Sequence, residues 1–232
     1  MTAEQGSASL FQYLLVHSCM IPLNSIVFVI DDDASVRKGL TRLLRSAGYK
    51  SEVFPVASDY LKREQHTGPS CLIVDLRMPG MNGTDLQKAL IQHGRDEQLV
   101  FVTGYGDISI CAQAMKAGAA DFLSKPFRAD ELLQSIERAL ARSDRQRRKT
   151  AERNEARRLL GLLTPREFEV MQLVVTGMLN KQIAAELGTA EKTIKVHRGR
   201  VMEKLRVTSV AELVHLVVRA GIPGSKSHET KV

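Results

Sequence analysis

Four short apolar runs in the first half of the chain each lead into a residue able to do chemistry. Ile26–Ile30 precedes Asp31-Asp32, Cys71–Val74 precedes Asp75, Leu99–Val102 precedes Thr103, and Asp121–Leu123 stands just before Lys125-Pro126. With Ser51–Phe54 these runs make five strand candidates, separated by amphipathic stretches. The helical stripes are Val36, Leu40, Leu43 and Leu44, then Leu86, Leu90 and Ile91, then Leu132, Leu133, Ile136 and Leu140, with Gly48 as a stop for the first. Regular βα alternation predicts a doubly wound, five-stranded parallel sheet with helices on both faces. Such a sheet brings all four polar groups to its carboxyl edge, where open α/β sheets place their ligand chemistry.

Three carboxylates gathered there repel one another by about 4 kcal/mol per pair at 4 Å and an effective dielectric near 20. A hard divalent cation relieves that repulsion, and Mg²⁺ favours a few carboxylates with waters and a phosphoryl oxygen. Asp75 is then placed to attack in line, while Lys125 and the Thr103 hydroxyl can hold phosphoryl oxygens. Taken singly, the acidic triplet reads as a solvated loop and Thr103 as an ordinary strand end. Together they predict Mg²⁺-dependent aspartyl phosphorylation.

The second half differs in charge and in periodicity. Residues 1–141 carry 14 Lys and Arg against 16 Asp and Glu, and residues 142–232 carry 19 against 10. A basic half of this kind solvates a linker or meets nucleic acid. Neither Gly nor Pro falls between Phe127 and Leu160, so the last helix of the first unit can run on as a solvent-bridging rod or give way to a tether. A rod from Asp130 to Leu160 would span roughly 45 Å. After Gly161 the pattern is purely helical. Thr164-Pro165-Arg166-Glu167 is a capping box with proline at the first helical position. That helix stops near Gly177, Asn180 caps a short helix Lys181–Leu187, and Gly188 turns into a third helix, Glu191–Leu205. Ser209 and Glu212 make a second capping box before a fourth helix ending near Gly221.

On a wheel of 100° per residue, Ile194, Val201 and Leu205 form the buried stripe of the third helix. Lys192, Lys195, Val196, Gly199, Arg200 and Glu203 face away. That face suits a major groove, with cations for phosphates and guanine edges and Gly199 permitting close approach. The short preceding helix and its turn complete a helix-turn-helix.

The strings VFVIDDDASVRKGL, CLIVDLRMPGMNG, VFVTGYGD and AMKAGAADFLSKPF resemble the receiver domains of two-component response regulators, in particular the FixJ-like branch. LTPREFEVMQLVVTGMLNKQIAAELGTAEKTIKVHRGRVMEKL resembles the four-helix LuxR/NarL/FixJ-type DNA-binding domain. The resemblance implies that a sensor histidine kinase phosphorylates Asp75. It implies that Asp31, Asp32, Asp75 and the Arg77 carbonyl hold Mg²⁺, with Thr103 and Lys125 binding the phosphoryl group. Lys125 would precede a cis proline, and Phe122 would be the switch aromatic. Asp33 is not needed by the pattern. Arg77 and Tyr105 fall where the family flanks the path of attacking water, and their bulk would prolong the phosphorylated state. Lys195 and Val196 become the first candidates for base contact. Arg198 and Arg200 share the load where some relatives have lysine in place of Gly199, while His197 and Arg198 also lie near the packed flank.

The resulting organisation is an extension (1–24), a receiver (25–143), a charged helical linker (144–160), a helix-turn-helix domain (161–222) and a disordered tail (223–232), with translation from Met20 as an alternative start. The expected protein is a cytoplasmic, non-enzymatic transcription regulator with no membrane segment. Its expected partners are double-stranded DNA, a sensor histidine kinase, a second copy of itself when phosphorylated, and RNA polymerase. Dimerisation is expected through the receiver's fourth helix (Ile108–Lys116), its last strand and the final helix of the chain. Three cysteines without metal-ligand spacing agree with a reducing compartment. An aspartate-nucleophile phosphatase or phosphotransferase would need a carboxylate where Arg77 stands. A regulator switched by a ligand in place of phosphate has no use for the acidic pair, Thr103 and Lys125. A constitutive DNA-binding protein using its receiver only to dimerise would bind its operator without phosphorylation.

Overall fold

A computed structural model describes residues 21–104 and 108–222, the side chains of residues 108 and 109 excepted. The N-terminal extension with its alternative start, Tyr105 and the tail from 223 lie outside the described residues. The chain divides into two compact units, residues 1–147 and 148–232.

In the first unit β1 (Ile26–Ile30), α1 (Ala34–Ser46), β2 (Ser51–Phe54), α2 (Ala57–Lys62), β3 (Ser70–Asp75), α3 (Gly83–Gln92), β4 (Gln98–Thr103), α4 (Ile108–Lys116) and β5 (Asp121–Ser124) alternate, followed by α5 (Ala129–Leu160). All strands pair in parallel, in the order β2-β1-β3-β4-β5. Period-two alternation divides the strand side chains between two cores. Val27, Val29, Cys71, Ile73, Val100 and Val102 pack beneath α1 and α5, while Phe28, Ile30, Leu72, Val74 and Phe101 meet α2, α3 and α4. With both faces covered, the central strands read as unbroken apolar runs.

Two departures from the expected elements stand out. β3 and β4 extend one residue further at each end, so Asp75 and Thr103 are the last residues of their strands rather than loop residues. Helix α2 was not foreseen, because six residues are too few to show a helical period. It is held by Tyr60, fully buried against Phe28 and Phe54. The proposed linker, 144–160, is helical throughout and continues α5, the rod of the two alternatives. Ser143 is buried, its hydroxyl accepting from the Ser70 amide, and Arg147 pairs with Asp96, whereas Ala156 and Leu160 sit in the core of the second unit.

That second unit adds α6 (Pro165–Val175), α7 (Asn180–Glu186), α8 (Glu191–Leu205) and α9 (Val210–Ala220) to the end of α5. Thr164 and Glu167 form the expected reciprocal capping box, with Pro165 in the first turn. Asn180 does not cap α7, however. The helix starts at Asn180, the Gln182 side chain accepts from the Leu179 amide, and Asn180 Oδ1 accepts from Arg198 instead. The second capping box is half formed. Ser209 accepts from the Glu212 amide, but the Glu212 carboxylate turns to the amide and hydroxyl of Thr208, one residue earlier.

Candidate functional sites

At the carboxyl edge of the sheet, β1 and β3 are neighbours in register, Ile30 opposite Val74. Asp31 and Asp75 therefore leave adjacent strands side by side. One oxygen each from Asp31, Asp32 and Asp75 lies within 4.8 Å of the others. Their surroundings differ. Asp31 is buried, Asp75 half-buried and Asp32 exposed.

Lys125, immediately after β5, reaches across two strands. Its Nζ donates to Asp31 Oδ2 at 2.9 Å and to Asp75 Oδ2 at 2.7 Å. The cis Lys125-Pro126 peptide and the Lys125 amide, which donates to the Thr103 carbonyl at 2.6 Å, continue the β4–β5 pairing to this point. Thr103 ends β4 and is buried.

Burial raises the Asp31 pKa. The Lys125 hydrogen bond and the Asp33 amide pull it back, and the net position stays above the ordinary value. Burial also works against the Lys125 ammonium, but its bonds to Asp75 and Asp31 outweigh that and raise its pKa. The ammonium thus bridges two carboxylates that would otherwise repel, leaving Asp32 turned to solvent.

The donor set fits a hard divalent cation. Three carboxylates converge on one point, and Asp75 and Asp31 each have a second oxygen engaged elsewhere, by the Arg77 amide and the Asp33 amide. Phe122 is half-buried on β5 beside this edge, packed against the core under α4. Arg77 is exposed.

Three neighbours of the site were missed in the sequence. Asp33 is the N-cap of α1, accepting from the amides of Ser35 at 2.7 Å and Val36 at 3.4 Å. The signal was present, an acidic residue just before a helix. Arg37 Nη1 donates to the Asp31 carbonyl at 2.7 Å, which periodicity cannot reveal. Gly83 opens α3 against the back of the site. A Cβ there would lie 2.8 Å from the Asp75 carbonyl oxygen and 3.0 Å from the Phe101 ring. Glycine directly after the Asn82 cap was the available clue.

In the second unit α8 buries Ile194, Val201 and Leu205 and exposes Lys192, Lys195, Val196, Gly199, Arg200 and Glu203. Val196 is the one large apolar side chain on α8 that is more than a third exposed. Arg198 is half-buried and tied to Asn180 at 3.0 Å, so it links the two helices of the helix-turn-helix. On α9, Leu213, Leu216 and Val217 face the core and Val218 faces out.

Residues 27–137 match the family model described as response regulator receiver domain, and residues 161–217 match that of bacterial regulatory proteins of the luxR family. Nodulation protein W of Bradyrhizobium diazoefficiens is 45% identical over 210 residues, covering 90% of this chain and 92% of its own length. The chain belongs to the two-component response regulators with a LuxR-type output domain. Among these regulators, response regulator protein TodT of Pseudomonas putida is 40% identical over 84% of this chain and 86% of its own length. The solved response regulator StyR superposes with a TM-score of 0.77 at 47% identity, covering 84% of this chain and 99% of its own. Full-length FixJ from B. japonicum does so at 0.52 and 37%, covering 84% and 97%. The protein is thus a transcriptional response regulator with a receiver and a DNA-binding domain. No helix among the described residues is long and apolar enough to cross a membrane.

Proposed function

We propose that Asp75 accepts a phosphoryl group from a sensor histidine kinase, and that this acyl phosphate promotes dimerisation and promoter binding. The observation that carries the reading is the Lys125 ammonium bridging Asp31 and Asp75 beneath the acidic cluster. Asp31, Asp32, Asp75 and the Arg77 carbonyl would hold Mg²⁺, which neutralises charge on the transferring group when bound. In the transfer, a P–O bond forms to Asp75 as the phosphorus–nitrogen bond to the donor histidine breaks. Acyl phosphate formation removes the carboxylate charge of Asp75 that Lys125 now meets at 2.7 Å, so the ammonium turns to a phosphoryl oxygen. The Thr103 hydroxyl donates to another, and Phe122 fills the space that Thr103 leaves. These contacts exist only in the phosphorylated state, and their differential free energy biases the receiver toward its active form.

Promoter binding is assigned to α8. Lys195 and Val196 read base edges, while Lys192 and Arg200 meet phosphates or guanines beside Gly199. Arg198, held by Asn180, meets a phosphate from the flank. Two copies joined through the exposed side of α9, where Val218 stands, suit paired half-sites. The assignment extends to residues 25–143 as the receiver and 161–222 as the DNA-binding domain, in a cytoplasmic activator working with RNA polymerase.

The test is intact mass after incubation with acetyl phosphate and Mg²⁺, beside Asp75→Asn. One phosphoryl group on the wild type and none on the variant is expected. Absence of an adduct on both, with Mg²⁺ binding also absent, favours a DNA-binding regulator that uses its receiver only to dimerise.

A further inference from the structure

Positive charge in the second unit is not confined to α8. Residues 148–232 carry 16 Lys and Arg against 9 Asp and Glu, whereas residues 1–147 carry 17 of each. Lys149 and Arg153 place part of that excess on α5, and Arg145, counted with the first unit, precedes them on the same helix. Arg145, Lys149 and Arg153 follow one another at four-residue spacing, so they fall within about 80° on one face and span about 12 Å of helix. All three are exposed. None has a hydrogen-bonded or ion-paired partner among the described residues.

Other arginines nearby behave differently. Arg158 makes two hydrogen bonds to the Glu155 carboxylate, Arg147 pairs with Asp96, and Arg157 donates to the Ala220 carbonyl. Asp144 and Glu155 lie roughly 120–140° from the centre of the row, and only Glu152 borders it. Ala156 and Leu160 continue the same face and are buried in the core of the second unit. Lys149 and Arg153 therefore project from the side of the helix that carries the DNA-binding body.

What the row lacks is also informative. Among the described residues of α5 there is no exposed large apolar side chain. A protein interface needs such an anchor at its centre, and an amphipathic membrane helix needs an apolar face. A row of bare, separated cations fits a polyanion, and duplex DNA presents one phosphate per strand for every 3.4 Å or so of its axis.

We propose that Arg145, Lys149 and Arg153 make a second, sequence-independent contact with the phosphate backbone of duplex DNA. The inference rests on the reading of residues 161–222 as a DNA-binding domain. It adds affinity and salt dependence and leaves base preference to α8.

The experiment follows binding of the full chain to a labelled random-sequence duplex by fluorescence anisotropy across a potassium chloride series. Three proteins are compared: wild type, R145Q/K149Q/R153Q, and K195Q/R200Q on α8. Each lost phosphate contact lowers the slope of log affinity against log salt by about 0.9, so the triple variant is expected to lose about 3. Charge-conserving R145K/R153K is expected to keep the wild-type slope. Should the triple variant lose helix by circular dichroism, K149Q alone is read instead, with an expected loss of about 0.9. A wild type that binds no duplex overturns the parent reading. Weakening by the α8 variant together with an unchanged slope for the α5 variant overturns this inference alone. Loss of binding to phosphatidylserine vesicles with the DNA slope intact would assign the row to membranes and overturn it as well.

Discussion

Removing the charge of Glu167 should destabilise the DNA-binding unit by an amount that disappears in acid. The carboxylate is buried at the start of α6, accepting from the Thr164 amide at 2.9 Å and from Lys204 of α8 at 2.6 Å. Lys204 and the Thr164 amide push its pKa down to about 2 from the usual 4.5. At 1.36 kcal/mol per unit, that depression corresponds to about 3 kcal/mol. Lys204 is 36% exposed, and solvent screening there reduces the contribution to about 2 kcal/mol. Because the folded value is depressed, this stability is fully present above pH 4.5 and is lost as pH falls through about 2. Roughly 40% of it remains at pH 3. Glu167→Gln keeps an acceptor for the capping box but not the charge, so it is expected to cost about 1–2 kcal/mol near neutrality. Glu167→Ala, which also loses the cap, should cost about 1 kcal/mol more. Urea unfolding read by hydrogen exchange in α6 and α8 of the full chain isolates this unit from the receiver. A wild-type advantage over Glu167→Gln that is missing at pH 6, or undiminished at pH 3, would refute the electrostatic account.

Gly83→Ala forces a Cβ to within 2.8 Å of the Asp75 carbonyl oxygen. It is expected to cost about 1–3 kcal/mol in thermal unfolding of the receiver and to slow phosphoryl uptake from acetyl phosphate. Asp33→Ala removes the cap of α1 and should cost about 1 kcal/mol. It should leave the phosphoryl stoichiometry at that of the wild type, measured by intact mass. A failure to accept phosphate would mean Asp33 acts in the cluster itself.

How far the sequence could be read follows from where each signal is stored. The strands of the receiver and the four helices of the output domain are legible because apolar period and capping chemistry are local. Glu191–Leu205 has the same bounds in sequence and structure, closed by Leu205 in the core and by Arg206 at φ 55°. Asp31, Asp75, Thr103 and Lys125 are legible for a related reason. Each is tied to a strand end, and parallel pairing carries strand ends to one edge whatever the details of packing. Helix α2 escaped because its six residues are specified by Tyr60 finding Phe28, Phe54 and the Glu97 carboxylate, partners from other elements.

Contacts set by distance rather than by period stay hidden until the chain is folded. Asn180 illustrates the difference. Its position before a short helix satisfied every local rule for a cap, yet Gln182 serves the backbone from within the helix and frees Asn180 for Arg198, 18 residues away. The same reasoning applies to the acidic cluster. Sequence alone leaves three carboxylates needing a cation. The structure shows that two of them already share one, Lys125, while the third, Asp32, stays exposed. A bridged pair is less costly to keep together than a bare triad, so the fold can hold the cluster without a metal. Under the proposed phosphorylation of Asp75, the ammonium holding the cluster is also the group whose position would have to change. On that proposal, the switch would be built from the same contact that makes the resting site tolerable. Lys125→Met should accordingly weaken both the receiver's stability and its response to phosphate, whereas a purely phosphate-binding lysine would affect only the second.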